Sequence, residues 1–194
     1  MEVLLAEASR NTLERITLRG FPDVLDAELE AKFVEGYDVP IWSEPSFKDM
    51  IAHARAIGGE LLLVLYGKDF AGIVGVLPFS DVSETSWESF IYLLPDFRRK
   101  GIAKILLHSL GLASNFSGVE LWSDVRVGNE ASIAVHKKLF DGLEVEEEFV
   151  SPHGYSTRRW LISDGRREDL IYSDRWLVED LRWCLSRCLK NDTR

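Results

Sequence analysis

The chain has 194 residues, 46% of them apolar, enough for one globular domain with a full-sized core and too many for a disordered polymer. Its longest apolar runs, such as residues 61–66, are far too short to span a bilayer, and the start lacks the basic flank and apolar core of a signal peptide, so the expected location is cytoplasmic. A net charge of −9 speaks against a nucleic-acid surface and favours cationic partners.

In chain order, residues 13–18 read as a strand, with Ile16 and Leu18 alternating with Thr17 and Arg19. Residues 22–34 have helical spacing, with Val24, Leu25, Leu29 and Phe33 on one face. Pro40 and Pro45 break the chain, and Ser46 is placed to cap a helix over residues 47–57 that ends at Gly58 and Gly59. Residues 60–66 and 70–77 form strands around a turn at 67–69, an antiparallel hairpin. Residues 80–86 form a polar connection, and an aromatic-rich strand at 87–94 is stopped by Pro95.

Gly101 opens a helix whose Ile102, Ile105, Leu106, Ser109 and Leu110 form one stripe. Gly118 precedes a strand at 119–125, and Asn129 caps a helix that runs through Leu139. Residues 143–150 and 155–162 pair as a hairpin around 151–154, and 174–190 form a last helix. A strand–helix–strand between Trp87 and Val125 implies a right-handed parallel crossover, whereas the other strand contacts read as antiparallel. The expected fold is a mixed α/β sheet with helices on both faces.

The last helix carries an apolar stripe of Leu177, Leu181, Cys184, Leu185 and Cys188, with Trp176 and Trp183 as a second flank. Packing within the chain and a homodimer contact both fit that pattern. The two cysteines, with no further thiol or histidine beside them, make a poor metal site and read as small apolar residues.

Against the acidic background stands one basic segment, 98–104, with Arg98, Arg99, Lys100 and Lys104. A strand ends, a basic loop follows and a helix begins. The unpaired N–H groups of a helix start and its dipole form an anion site, and Gly101 and Ala103 let a phosphate approach the backbone. A pyrophosphate suits this charge density better than a lone carboxylate. Taken alone, an ordinary turn with exposed basic residues fits as well.

Two segments together resemble the GNAT family of N-acetyltransferases. Arg98, Gly101 and Ala103, with Pro95 before them, match the pattern Arg/Gln-x-x-Gly-x-Gly/Ala of the acetyl-coenzyme A loop. Asn129 opens the helix after the next strand, as in the family's second signature. The resemblance is clear over the middle third of the chain, and the order of elements extends it over most of the rest. It implies a single acetyltransferase domain over 1–194, with 163–194 as a C-terminal helical extension. It also implies a mostly antiparallel sheet with a parallel pair splayed around the cofactor.

The resemblance further implies acetyl-coenzyme A as cosubstrate. Backbone N–H groups of Arg98, Arg99, Lys100, Gly101, Ile102 and Ala103 would hold its pyrophosphate, and the backbone of Leu93 and Leu94 its pantetheine arm. Asn129 would bond the same arm, a role compatible with a plain N-cap. Transfer to an amine needs one group to take a proton from the ammonium and one to give a proton to the thiolate. Glu88, on the strand before the loop, is the candidate base, or else a solvated carboxylate. His136 stands where the family often has a tyrosine acid, and is the candidate acid or else a partly exposed helical histidine. The Gly-Phe that usually ends the second signature is absent here, replaced by residues 140–143.

Asp124 is placed to hold a cationic acceptor, or to face water with Ser123. Glu144 and residues 146–148 form a solvated face or an amine-attracting rim. Neither cysteine lies near the motif and no Gly-x-Ser-x-Gly elbow occurs, so direct transfer in a ternary complex is expected, without a covalent enzyme intermediate. The acceptor is a small molecule, a peptide N-terminus or a lysine. The alternative is a coenzyme A-binding regulatory module without catalysis. A toxin-like acetyltransferase acting on aminoacyl-tRNA is disfavoured by the acidic balance.

Overall fold

The structure, a computed structural model, describes residues 11–20, 31, 47–78, 86–140, 144–150, 156–164 and 175–191. The expected helix at 22–34, the Ser46 cap and the turn at 151–154 lie outside the described residues or almost wholly so. Seven strands form one sheet: β1 (Ile16–Gly20), β2 (Glu60–Tyr66), β3 (Asp69–Pro78), β4 (Ser86–Leu93), β5 (Glu120–Arg126), β6 (Glu144–Val150) and β7 (Ser156–Leu161). Their spatial order is β1-β2-β3-β4-β5-β7-β6, antiparallel except between β4 and β5. The expected mixed sheet with one parallel pair is the one observed.

Helix α1 (Phe47–Ala56) packs on one face, where Ile51 and Ala54 meet Leu61, Leu63, Phe70, Ile73 and Leu77. Helices α2 (Ile102–Ser117), α3 (Glu130–Leu139) and α4 (Arg175–Asn191) cover the other face over the larger core. β2 and β3 are apolar on both faces because both are covered. The first strand starts at Ile16, three residues later than its alternation suggested. Residues 11–13 are helical instead, and Arg15 N–H closes that turn on Thr12 C=O at 3.2 Å.

α2 is buried well beyond its expected stripe, since Leu107, Gly111, Leu112 and Ser114 are also covered. The reason is α4, which lies along α2 and buries Leu177, Leu181, Cys184 and Leu185 within the chain. Cys184 also sits against Glu60 C=O on β2. Trp183 remains half exposed, with the Arg187 guanidinium 4.9 Å above its ring. The side chains of Trp176 and Cys188 lie outside the described residues. No described helix is long and apolar enough to cross a membrane.

Candidate active site

The parallel pairing of β4 and β5 lasts only three rungs: Ser86 with Glu120, Trp87 with Leu121 and Glu88 with Trp122. Beyond them β4 continues beside β3 as far as Leu93, opposite Gly72, while β5 continues beside β7 as far as Arg126, opposite Thr157. The two strands therefore part, and a wedge opens in the middle of the sheet. Hydrogen bonding alternates along an antiparallel pair, and Leu94 N–H is used on Ala71 C=O at 2.9 Å. The backbone groups of Leu93 and Ile91 accordingly point the other way, toward the wedge. Of the two leucines expected to line the cofactor arm, Leu93 faces the opening and Leu94 belongs to the sheet. Ile91 was not singled out from the sequence, because only the strand register shows its direction.

At the wedge's end the chain makes a 3₁₀ turn, Pro95–Phe97, before α2 begins. Arg98 folds back and donates its Nε–H to Leu93 C=O at 3.0 Å. Arg99 has φ of 62° and Gly101 φ of 81°, so the loop turns through the left-handed region twice. No side chain caps α2, and its first helical hydrogen bond is Ile105 N–H to Gly101 C=O at 3.2 Å. The N–H groups of the first turn, Ile102 and Ala103 among them, thus have no acceptor within the helix. A Cβ built on Gly101 meets nothing within 4 Å among the described residues, which leave the space over this helix start open. These features fit a phosphate-bearing cosubstrate.

The loop's cations are held apart. Lys100 Nζ lies 4.8 Å from the Phe97 ring centroid and 5.7 Å from that of Tyr66, and Thr12 donates its hydroxyl to Lys100 C=O at 3.3 Å. Arg99 is exposed. At the head of α3, Asn129 accepts the Ser132 N–H at 3.2 Å, so the capping role is realised and its side-chain N–H₂ points from the same exposed position.

Alternation along β4 places Glu88, Phe90, Tyr92 and Leu94 on the α1 face of the sheet, and Glu88 is half-buried there. Asp124 lies on the same face of β5 and makes a two-pronged ion pair with Arg159 of β7, both contacts at 2.8 Å. The expectation that Asp124 holds a cationic acceptor or faces water is therefore corrected: its charge is already matched by a guanidinium that also stacks over Phe149 at 4.2 Å. Nor does Ser123 face water, because it points to the opposite face and is buried. The strand carrying Glu144 and residues 146–148 is present as β6, but their side chains lie outside the described residues.

His136 needs a correction too. It is buried, with its ring 4.9 Å from that of Trp160. Its Nδ1 lies 2.8 Å from Ser132 C=O and its Nε2 2.8 Å from Ser123 Oγ. A carbonyl only accepts, so Nδ1 carries the proton and Nε2 accepts from the Ser123 hydroxyl. Burial lowers its pKa from 6.5 to about 4, partly opposed by the bond to Ser132. A neutral imidazole whose one N–H is spent on the main chain is a poor resting proton donor. Among the described residues no cluster could hold a metal ion.

A family model described as "Acetyltransferase (GNAT) family" matches residues 21–141. The chain belongs to this family. No curated protein matches it. Solved structures of similar fold include a substituted form of the spermidine N-acetyltransferase SpeG from Vibrio cholerae, 18% identical, covering 75% of this chain and 92% of that one with a TM-score of 0.54. A dodecameric structure of spermidine N-acetyltransferase from the same organism is 18% identical, covering 76% and 92%, with a TM-score of 0.53.

Of the residues singled out from the sequence, 93–103 gather at the mouth of the wedge. Asn129 and His136 lie on α3 on the same side of the sheet, and Glu88 and Asp124 lie on the other. The sequence reading missed Ser123 and Arg159 as partners. Ser123 had a signal, a lone hydroxyl alternating with Leu121 and Val125, whereas Arg159 becomes Asp124's partner only through the β5–β7 register.

Proposed function

We propose that this chain transfers the acetyl group of acetyl-coenzyme A to a primary amine by direct attack in a ternary complex. The observation that carries the reading is the wedge between β4 and β5, which leads from an uncapped, open helix start on one face to Glu88 on the other. The N–H groups of Gly101, Ile102 and Ala103 hold the pyrophosphate, aided by the helix dipole and the basic loop. The backbone of Ile91 and Leu93 bonds the pantetheine arm and polarises the acetyl carbonyl. The cosubstrate supplies a thioester carbonyl open to nucleophiles. Glu88, reached from the α1 face, takes the ammonium proton before attack, and holding both reactants together supplies much of the rate.

The acceptor's charge is drawn by the overall acidity of the molecule, with Glu88 half-buried on the α1 face beside the wedge. Polyamines head the acceptors to try, since the similar solved structures are of spermidine N-acetyltransferases; amino-acid amides and peptide amines follow. The test is thiol release from acetyl-coenzyme A across that panel, with mass spectrometry of the products. Release with at least one amine and an acetamide product are expected. Tight coenzyme A binding without turnover would instead leave a regulatory module. In the active enzyme, Glu88→Gln should lower the rate mostly at low pH, where free amine is scarce. A variant with the wild-type pH–rate profile would remove Glu88 from the role.

A further inference from the structure

The outward face of α4 has no part in the reading above. Of the five large apolar side chains that stand exposed among the described residues, two are aromatic, Phe116 near the end of α2 and Trp183 on α4. The Arg182 guanidinium lies 5.7 Å from the Phe116 ring centroid and that of Arg187 lies 4.9 Å from that of Trp183, so both rings border one surface. Tryptophan, phenylalanine and arginine are enriched in protein interfaces, but a few exposed aromatic rings alone need no partner. The charges along α4 are what specify one.

Asp180, Trp183 and Arg187 follow at spacings of three and four and form one outward stripe, with Glu179 beside it. Glu179 stands four residues before Trp183 and Arg187 four after, so each lies about 6 Å from it along the helix axis. The stripe is thus acidic on one side of the tryptophan and basic at the same distance on the other. Such a face is complementary to itself turned end for end. Arg187 is kept in place by its stack on Trp183, and its Nε stands 3.6 Å from Glu60 Oε2, too far for a hydrogen bond. Its side chain remains half exposed. Partial burial and then the charge of Glu179 hold the Asp180 carboxyl above its ordinary pKa, so a cation brought to this side of the stripe is favoured.

We propose that α4 docks on α4 of a second copy of this chain, antiparallel about a two-fold axis at Trp183, with Arg187 of each copy against Glu179 and Asp180 of the other. The two tryptophans meet on the axis, and Phe116 and Arg182 lie at the border. The contact uses the same patch on both copies and closes at two. It covers one helix face, which is small for a permanent interface, so the dimer depends on concentration.

The experiment is sedimentation equilibrium of the intact chain over a wide range of concentrations. The wild type should rise from the mass of one copy toward that of two. Trp183→Ala, at an exposed position, should weaken association roughly 30-fold or more. Glu179→Arg and Arg187→Glu should each be monomeric, because like charges then face each other on both sides of the axis. An equimolar mixture of these two variants should dimerise as the wild type does, since the exchanged charges match on one side and the native ones on the other. An interface elsewhere on the molecule predicts no such rescue.

A wild type that stays a monomer throughout overturns the proposal, and so does a dimer that Trp183→Ala leaves intact. A dimer lost in both charge variants and not restored in their mixture overturns the antiparallel arrangement and the proposal with it. Should Arg187→Glu fail to fold beside Glu60, Trp183→Ala and Glu179→Arg decide. No readout involves acetyl-coenzyme A, so the dimer stands or falls apart from the acetyl-transfer reading.

Discussion

At the scale of single residues, His136 couples the site to stability. Its folded pKa is about 4 against 6.5 in an unfolded chain. Above pH 6.5 both states are neutral at this ring and it adds no pH dependence. Below that, the unfolded chain gains a proton that the folded one refuses, so stability falls as the pH drops from 6.5 toward 4, by at most about 3 kcal/mol. Thermal melts of the wild type and His136→Gln between these limits check the sign: the variant's melting temperature should depend less on pH, and equal slopes would remove the histidine from the account. Gly101 is a second case. Its φ of 81° strains any residue with a Cβ, but no atom of the described residues stands within 4 Å to clash. Gly101→Ala should therefore cost only about 1 kcal/mol of stability. Its methyl group would project into the open space over α2, so coenzyme A affinity should fall clearly in calorimetric titration of a folded variant. Unchanged affinity would take the phosphate away from this helix start.

At the scale of elements, α2 is where local preference and packing conflict. Gly111 lies in its interior, where alanine is the better helix former by about 1 kcal/mol. A Cβ at that position would, however, meet Ile162 C=O at 2.8 Å and Phe140 at 3.5 Å. Gly111→Ala should thus destabilise the protein in urea denaturation, although propensity alone says the opposite; a stabilised variant would mean that the 162–164 turn yields freely. The elements themselves were legible in the sequence. Strands β2 to β5 and helices α2 and α3 follow from apolar runs, glycine and proline stops and the Asn129 cap, all of them local signals. The loop at 98–103 was legible for the same reason, because a helix start and its charges are contiguous. What stayed hidden depends on register. Ser123 and His136 are 13 positions apart and Asp124 and Arg159 are 35 apart, and no local pattern says which side chains face each other. The second buried side of α2 was hidden likewise, since it exists only because α4 lies along it.

At the scale of the whole molecule, two opposite fields act on the two reactants. The chain carries a net charge of −9, yet the loop at the wedge concentrates Arg98, Arg99, Lys100 and Lys104 within seven positions. A phosphate-bearing cosubstrate is repelled at long range and attracted at contact, so added salt weakens both effects and its affinity should change little. A cationic acceptor is attracted at long range by the net charge of −9. Raising the ionic strength from about 0.01 M to about 0.15 M shortens the screening length from about 30 Å to about 8 Å. The kcat/KM of a polyamine should therefore fall several-fold over that range through steering lost on approach, whereas that of a monoamine should fall far less. Steady-state rates with both acceptors at saturating acetyl-coenzyme A make the comparison. Equal salt dependence for the two amines would show that the acidic surface serves solubility alone and has no part in choosing the acceptor.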